Sequence, residues 1–409
     1  MIKLMIRSIK SKSQTTVWRY YAFTFLMSLH FFSSVLAPFL TDWGGISRVQ
    51  VQLLQSWFML WIFILEIPTG VVADYFGRKY SLALGALALI CGSLIYGIVP
   101  KFEVFLLAEF LFAAGVALFS GAESALMYDS LKEDGQEERS KEIFGKAHAI
   151  RMTGYLVSAL IGSFIASRLG LNAPILFSAI PFAIAAMIAL SMREPSIHKG
   201  PSESRRYIDI AINGTKYFLS HKKLRAVALD ATIGASASYF VLWLYQPMLQ
   251  KLFVPIEKFG FFHAGLAGIQ ILIAANFIFF ERLLRGPVRF LRFTALIIGA
   301  SFILVALLPN IYTVVIFLAC AGGFGLTRWE YMSSYMNKLI PSAERATVLS
   351  SVSMFRRLAL IFLNPIVGLI AGRSLSLSFL FVGLLPLGLI SLQYIFAKVN
   401  MTRGNLDKD

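Results

Sequence analysis

The chemistry of this sequence rests on a few ionisable side chains set inside long apolar runs. Glu66, Glu123, Asp230 and Glu330 are the acids, and Arg151, Arg328, Arg356 and Arg357 the bases. Charges in hydrocarbon are costly and normally face a cavity or one another. These eight read as an intramembrane network of ion pairs, which either simply satisfies buried charge or breaks and reforms as the protein moves. Glu109, His30 and His263 lack an evident counter-charge. Glu109 is the first candidate for taking up and releasing a proton, with Asp230 as the alternative. For each histidine a hydrogen-bonded, structural imidazole is preferred over a proton carrier. His30 and His263, with the aromatic residues Trp57, Phe58, Tyr239 and Trp243, are candidates for lining a cavity that takes an apolar or aromatic ligand.

The elements that must hold these side chains follow from composition. The chain has 409 residues, 57% of them hydrophobic and 15% charged, against roughly 25% charged in soluble domains. It reads as an all-α integral membrane protein. Twelve apolar runs fall near 18–40, 50–73, 79–99, 102–128, 143–168, 172–192, 225–247, 258–280, 290–308, 311–337, 347–371 and 374–397, and are called spans 1 to 12 below. Each is about 20 residues or longer, matching a hydrocarbon core of roughly 30 Å. They divide into six-helix halves, 1–192 and 224–409. The linker between them, 193–223, carries a basic amphipathic stretch (Tyr207, Ile208, Ala211, Ile212 and Phe218 among Arg205, Arg206, Lys216 and Lys222) expected to lie as a helix on the bilayer surface.

Of the 38 Lys and Arg residues, 28 lie in the termini and even-numbered connections, and only six in the odd ones. That bias places both termini in the cytoplasm, with the chain in the plasma (inner) membrane. It also accounts for the net charge of +16 as topology, so a nucleic-acid partner is not expected. Cys91 and Cys320 both sit in spans and imply neither a disulfide nor a metal site. No Walker A loop, zinc-type spacing or nucleophile elbow occurs, so neither an enzyme active site nor a cofactor is expected.

The halves echo each other. Glu123, Arg139 and Arg151 are followed by Glu330, Arg345 and Arg357 at offsets of 206 or 207 residues. Glu123 and Arg151 lie at similar depth on antiparallel spans and are expected to pair. By the repeat, Glu330 should pair with Arg356 or Arg357. Between spans 2 and 3 the chain reads Gly70-Val-Val-Ala-Asp74-Tyr-Phe-Gly77-Arg78-Lys79. Gly77 suits a turn with positive φ, and Gly70 and Asp74 share one helix face. Asp74 is positioned to accept hydrogen bonds from the N-terminus of a neighbouring helix.

Gly-x-x-x-Asp-x-x-Gly-Arg-Lys after a second hydrophobic run resembles the loop 2–3 signature of the major facilitator superfamily, and the twelve-span pattern extends the likeness along the chain. The resemblance implies two parallel six-helix repeats and alternating access, with Gly70, Asp74, Gly77, Arg78 and Lys79 as a latch between the halves. Two positions depart from the family's drug/proton antiporters. Glu109 stands where span 4 of those exporters commonly carries arginine. Their Gly-x-x-x-Gly-Pro-x-x-Gly-Gly motif is here Gly154-Tyr-Leu-Val-Ser158-Ala159-Leu-Ile-Gly162-Ser163, which keeps small residues and loses the Gly-Pro kink. The function expected is transport of a small-molecule substrate by a monomer, with proton-coupled efflux of amphipathic compounds as first choice. Uptake of a nutrient or metabolite is the alternative, and a receptor or scaffold that has lost transport the third.

Overall fold

The computed structural model describes residues 2–195, 222–340, 345–388 and 390. Among them the chain is helical and contains no strand, as a bilayer demands when each backbone polar group must be satisfied within its own segment. Nine helical stretches there are long and apolar enough to cross a membrane, and Leu375–Gly388 is a shorter apolar helix. The protein is all-α and multi-pass. The amphipathic stretch expected in the linker lies outside the described residues.

Among the described residues, spans 1, 4, 8 and 10 are interrupted where the sequence reads as continuous, span 8 at Asn276 between Ile256–Ala275 and Phe277–Leu283. Span 1 stops being helical after Met27 and continues as short helical turns between Ser33 and Trp43. Ser28 Oγ donates to Thr24 O at 2.6 Å and the His30 N–H to Ser28 O at 2.9 Å. Such local bonds compete with the helical ladder. Span 4 consists of Phe102–Phe119 and Ala122–Glu133, divided by Gly121 at φ 76°. Span 10 runs as Ile311–Phe317, a wider π-helical segment Leu318–Phe324, and Arg328–Leu339. The breaks in spans 4 and 10 obey the repeat, since Ala122 and Arg328 open the second helices at an offset of 206 residues. Small residues within an apolar run are compatible with an unbroken helix, which hid these breaks.

The described residues fall into two compact units. The first comprises those within Met1–Ile46, Leu54–Asp209 and Pro255–Ala264, the second those within Ser47–Leu53, Ile210–Val254 and Gly265–Asp409. The start of span 2 therefore belongs with the second unit and the start of span 8 with the first. In the second unit Gly368 makes room for Gln52, whose Cβ is 2.8 Å from where a Cβ on Gly368 would stand. In the first, the small-residue face of span 5 lets span 1 approach so closely that a Cβ on Gly162 would collide with the Phe31 backbone. Such contact is how helices associate where lipid removes the hydrophobic drive.

Candidate functional site

Spans 1, 4 and 5 bring Thr24, Glu123 and Arg151 together in the first unit. Glu123 sits in the first turn of the helix that restarts after Gly121, where free N–H groups and the helix dipole favour an acid. Arg151 Nη2 donates to Glu123 Oε1 at 2.6 Å, and Thr24 Oγ1 donates to the same oxygen at 3.1 Å. The pair is only partly shielded, the Arg151 side chain being 37% and that of Glu123 17% exposed. Both line a cavity of about 600 Å³ together with His30, His148, Tyr20, Tyr155, Ser28 and Ser124. His30 stacks on Phe32 at 5.6 Å and meets Phe182 edge-on at 5.5 Å. The wall thus offers a cation, an anion, two imidazoles, hydroxyls and ring faces in one volume.

Of the six expected cavity residues, His30 lines this space and the other five do not. Trp57 donates its indole N–H to Leu106 O at 2.9 Å, tying span 2 to span 4. Phe58 and His263 are half-buried, and Tyr239 and Trp243 pack on each other at 6.4 Å. This cavity is lined from spans 1, 4 and 5, with Leu89 from span 3. Thr24 escaped the sequence reading, although it stands 206 residues before Asp230 and the repeat extended to spans 1 and 7 points to it.

The second unit arranges its charges differently. Arg328 Nη2 donates to Asp230 Oδ2 at 2.6 Å, and Nη1 donates to Leu291 O at 2.8 Å and to the Thr294 hydroxyl. Gly234 leaves the space that the guanidinium fills, for a Cβ there would lie 2.8 Å from Arg328 Nε. Asp230, expected as an alternative proton carrier, is therefore half of a buried ion pair. Arg356 lies over the Trp329 ring at 4.8 Å, a cation–π contact. Glu330 is exposed and within electrostatic reach of Arg356, while Glu66 and Arg357 are half-buried.

Glu109, the first candidate for proton exchange, has neutral partners. It is 7% exposed, and its Oε1 accepts from Tyr96 Oη at 2.9 Å and from Gln55 Nε2 at 3.1 Å. Two neutral donors on spans 3 and 2 hold the acid that the sequence left without a partner. A search for opposite charges alone could not find them.

The loop between spans 2 and 3 turns at Gly77 with φ 105°, as its sequence anticipates. Within the first unit, Glu194 and Asp129 hold this loop. Glu194, at the end of span 6, accepts from the backbone N–H groups of Arg78 at 2.7 Å and Lys79 at 2.9 Å, capping span 3. Arg78 pairs with Asp129. Asp74 is half-buried and takes no part in these bonds, and Gly70 is likewise half-buried. A Cβ on Gly77 would come within 3.0 Å of the Glu194 carboxylate, so the glycine is required both by its φ and by its neighbour.

A profile of the Major Facilitator Superfamily matches residues 21–363. The chain belongs to this family. It is 23% identical over 316 residues to NiaP of Bacillus subtilis (strain 168), provisionally named a niacin/nicotinamide transporter, covering 76% of this chain and 77% of the relative. It is 24% identical over 352 residues to YxaM of the same organism, an uncharacterised MFS-type transporter, covering 82% and 84%. Among solved structures, the nucleoside transporter NupG superposes with a TM-score of 0.73 at 13% identity, covering 92% of this chain and 98% of that one. A bacterial homologue of the human lysosomal transporter Spinster gives 0.73 at 15% identity, covering 95% and 97%. At such identities the solved structures speak for the fold alone. The protein is a major facilitator transporter and not an enzyme.

Proposed function

We propose that this transporter takes up a small, polar, heteroaromatic nutrient by alternating access, with the Glu123–Arg151 cavity as part of its binding site. The cavity wall carries the reading. Within a lining that also includes Phe23, Met27, Leu89 and Phe119, this wall sets a guanidinium and a carboxylate beside imidazole, phenol and hydroxyl groups, polar handles that an amphipathic drug does not require. A planar ring can lie against His30 and Tyr155 while its carboxylate or carboxamide competes for Arg151. The name of NiaP points to heterocycles of that kind. Gly70, Asp74, Gly77, Arg78 and Lys79 form the latch that governs the conformational change, supported by Glu194 and Asp129, and both termini lie in the cytoplasm of the plasma membrane. Glu109 acts as a structural tie and not as the proton carrier.

Export remains the competing direction, and accumulation decides between the two. Cells expressing the protein are given labelled nicotinate, nicotinamide or uridine, and initial rates are compared with a vector control. Faster accumulation of at least one is expected. Faster exclusion of the same compounds would make the protein an exporter.

A further inference from the structure

We propose that a groove between spans 3 and 6 binds an acyl chain of an anionic phospholipid, with Lys79 holding the headgroup. The groove measures about 480 Å³ and is walled by Phe76, Tyr80, Leu84, Leu87 and Leu190. These five side chains are all exposed. Its floor is formed by Ala83 and Ala186, whose short side chains leave a trough between taller neighbours. Tyr80, Leu84 and Leu87 recur at helical spacing, so the trough runs for about 10 Å along span 3, and Phe76 closes it from the end of span 2. In a bilayer-spanning chain an apolar trough of this kind is filled by lipid tails.

The charge at its end selects the headgroup. Lys79 Nζ lies 4.9 Å from the centroid of the Tyr80 ring, which itself lines the groove. Neighbouring cations are already engaged: Arg78 pairs with Asp129, and Arg193 with Glu133 at 3.0 Å and Asp134 at 3.9 Å. Glu194 occupies the backbone donors at the start of span 3. Lys79 makes no ion pair among the described residues. A basic residue at the bilayer surface attracts an anionic lipid with a preference of about fivefold.

Native mass spectrometry of the purified protein, titrated with phosphatidylglycerol or phosphatidylcholine of the same chain length, tests this. The wild type is expected to retain phosphatidylglycerol about fivefold better. Lys79→Gln should lower that preference to near parity, while Lys132→Gln, an exposed lysine elsewhere, should leave it. Ala186→Phe fills the trough and should remove one bound lipid of either kind. Should that variant fold poorly, the exposed pair Leu84→Ser with Leu87→Ser should have the same effect. An unchanged preference in Lys79→Gln, or undiminished lipid retention when the trough is filled or stripped, would overturn the proposal, whatever the transporter carries.

Discussion

Asp230→Asn and Glu123→Gln each strand one arginine of an ion pair, yet the two substitutions are expected to cost very different amounts. Nitrogen–oxygen separation is 2.6 Å in both pairs, so direct Coulomb geometry does not distinguish them. Burial does. The side chains of Arg328 and Asp230 are 1% and 9% exposed, those of Arg151 and Glu123 37% and 17%. Removing one partner from a buried pair leaves an uncompensated charge and costs about 3–5 kcal/mol. A half-open pair can hydrate the stranded group, and the loss falls toward about 1 kcal/mol. Arg328 keeps Leu291 O and the Thr294 hydroxyl as acceptors, which places Asp230→Asn at the lower end of its range, about 3 kcal/mol. Reversible unfolding of the purified protein in mixed micelles, on both single variants, the partner variants Arg328→Gln and Arg151→Gln, and the two doubles, yields the coupling energies. A coupling of about 2 kcal/mol or more is expected for Asp230–Arg328 and below about 1 kcal/mol for Glu123–Arg151. Equal couplings, or a stronger one in the cavity, would refute the idea that the cavity pair is open enough for a ligand to compete with it.

Further outcomes follow from the same geometry. Gly77→Ala forces an L side chain to φ 105° against Glu194 and should lower stability by about 1–3 kcal/mol, measured by the same unfolding, with Glu194→Gln milder. Glu109→Gln keeps an oxygen for Tyr96 and Gln55, so substrate accumulation driven by an imposed pH gradient in vesicles should match wild type. Loss of that accumulation would restore Glu109 as the proton carrier. Glu109→Leu removes the acceptor of the buried Tyr96 hydroxyl and should cost about 1–3 kcal/mol. A cysteine at Gln136, between spans 4 and 5, in a protein lacking Cys91 and Cys320 should resist an impermeant thiol reagent in intact cells and react after permeabilisation. Reaction in intact cells would reverse the assigned topology.

The helical, multi-pass fold was legible because hydrocarbon imposes long apolar runs that no soluble domain carries, and because Lys and Arg are so unevenly placed. The meeting of Glu123 and Arg151 was legible from equal depth on neighbouring antiparallel spans. What stayed hidden depends on neutral or backbone partners. Tyr96 and Gln55 on Glu109, Thr24 on Glu123, and Glu194 on the backbone of span 3 are hydrogen bonds without a charge pattern to announce them. The cavity beside Glu123 and Arg151 was not legible for a related reason. Aromatic residues on spans 2 and 7 attract attention by size, but the space opens where Gly121 breaks span 4, and a single glycine in an apolar run looks unremarkable.

The most direct measurement asks whether substrate occupies that space. Ser124 is exposed and lines the cavity, so Ser124→Cys in a protein lacking Cys91 and Cys320 offers a thiol beside the Glu123–Arg151 pair. Its rate of modification by a small thiol reagent is followed with and without a saturating concentration of a compound shown to be transported. The account predicts that substrate slows labelling by severalfold and that modification blocks transport. A labelling rate indifferent to a transported substrate, with transport undiminished after modification, would contradict it.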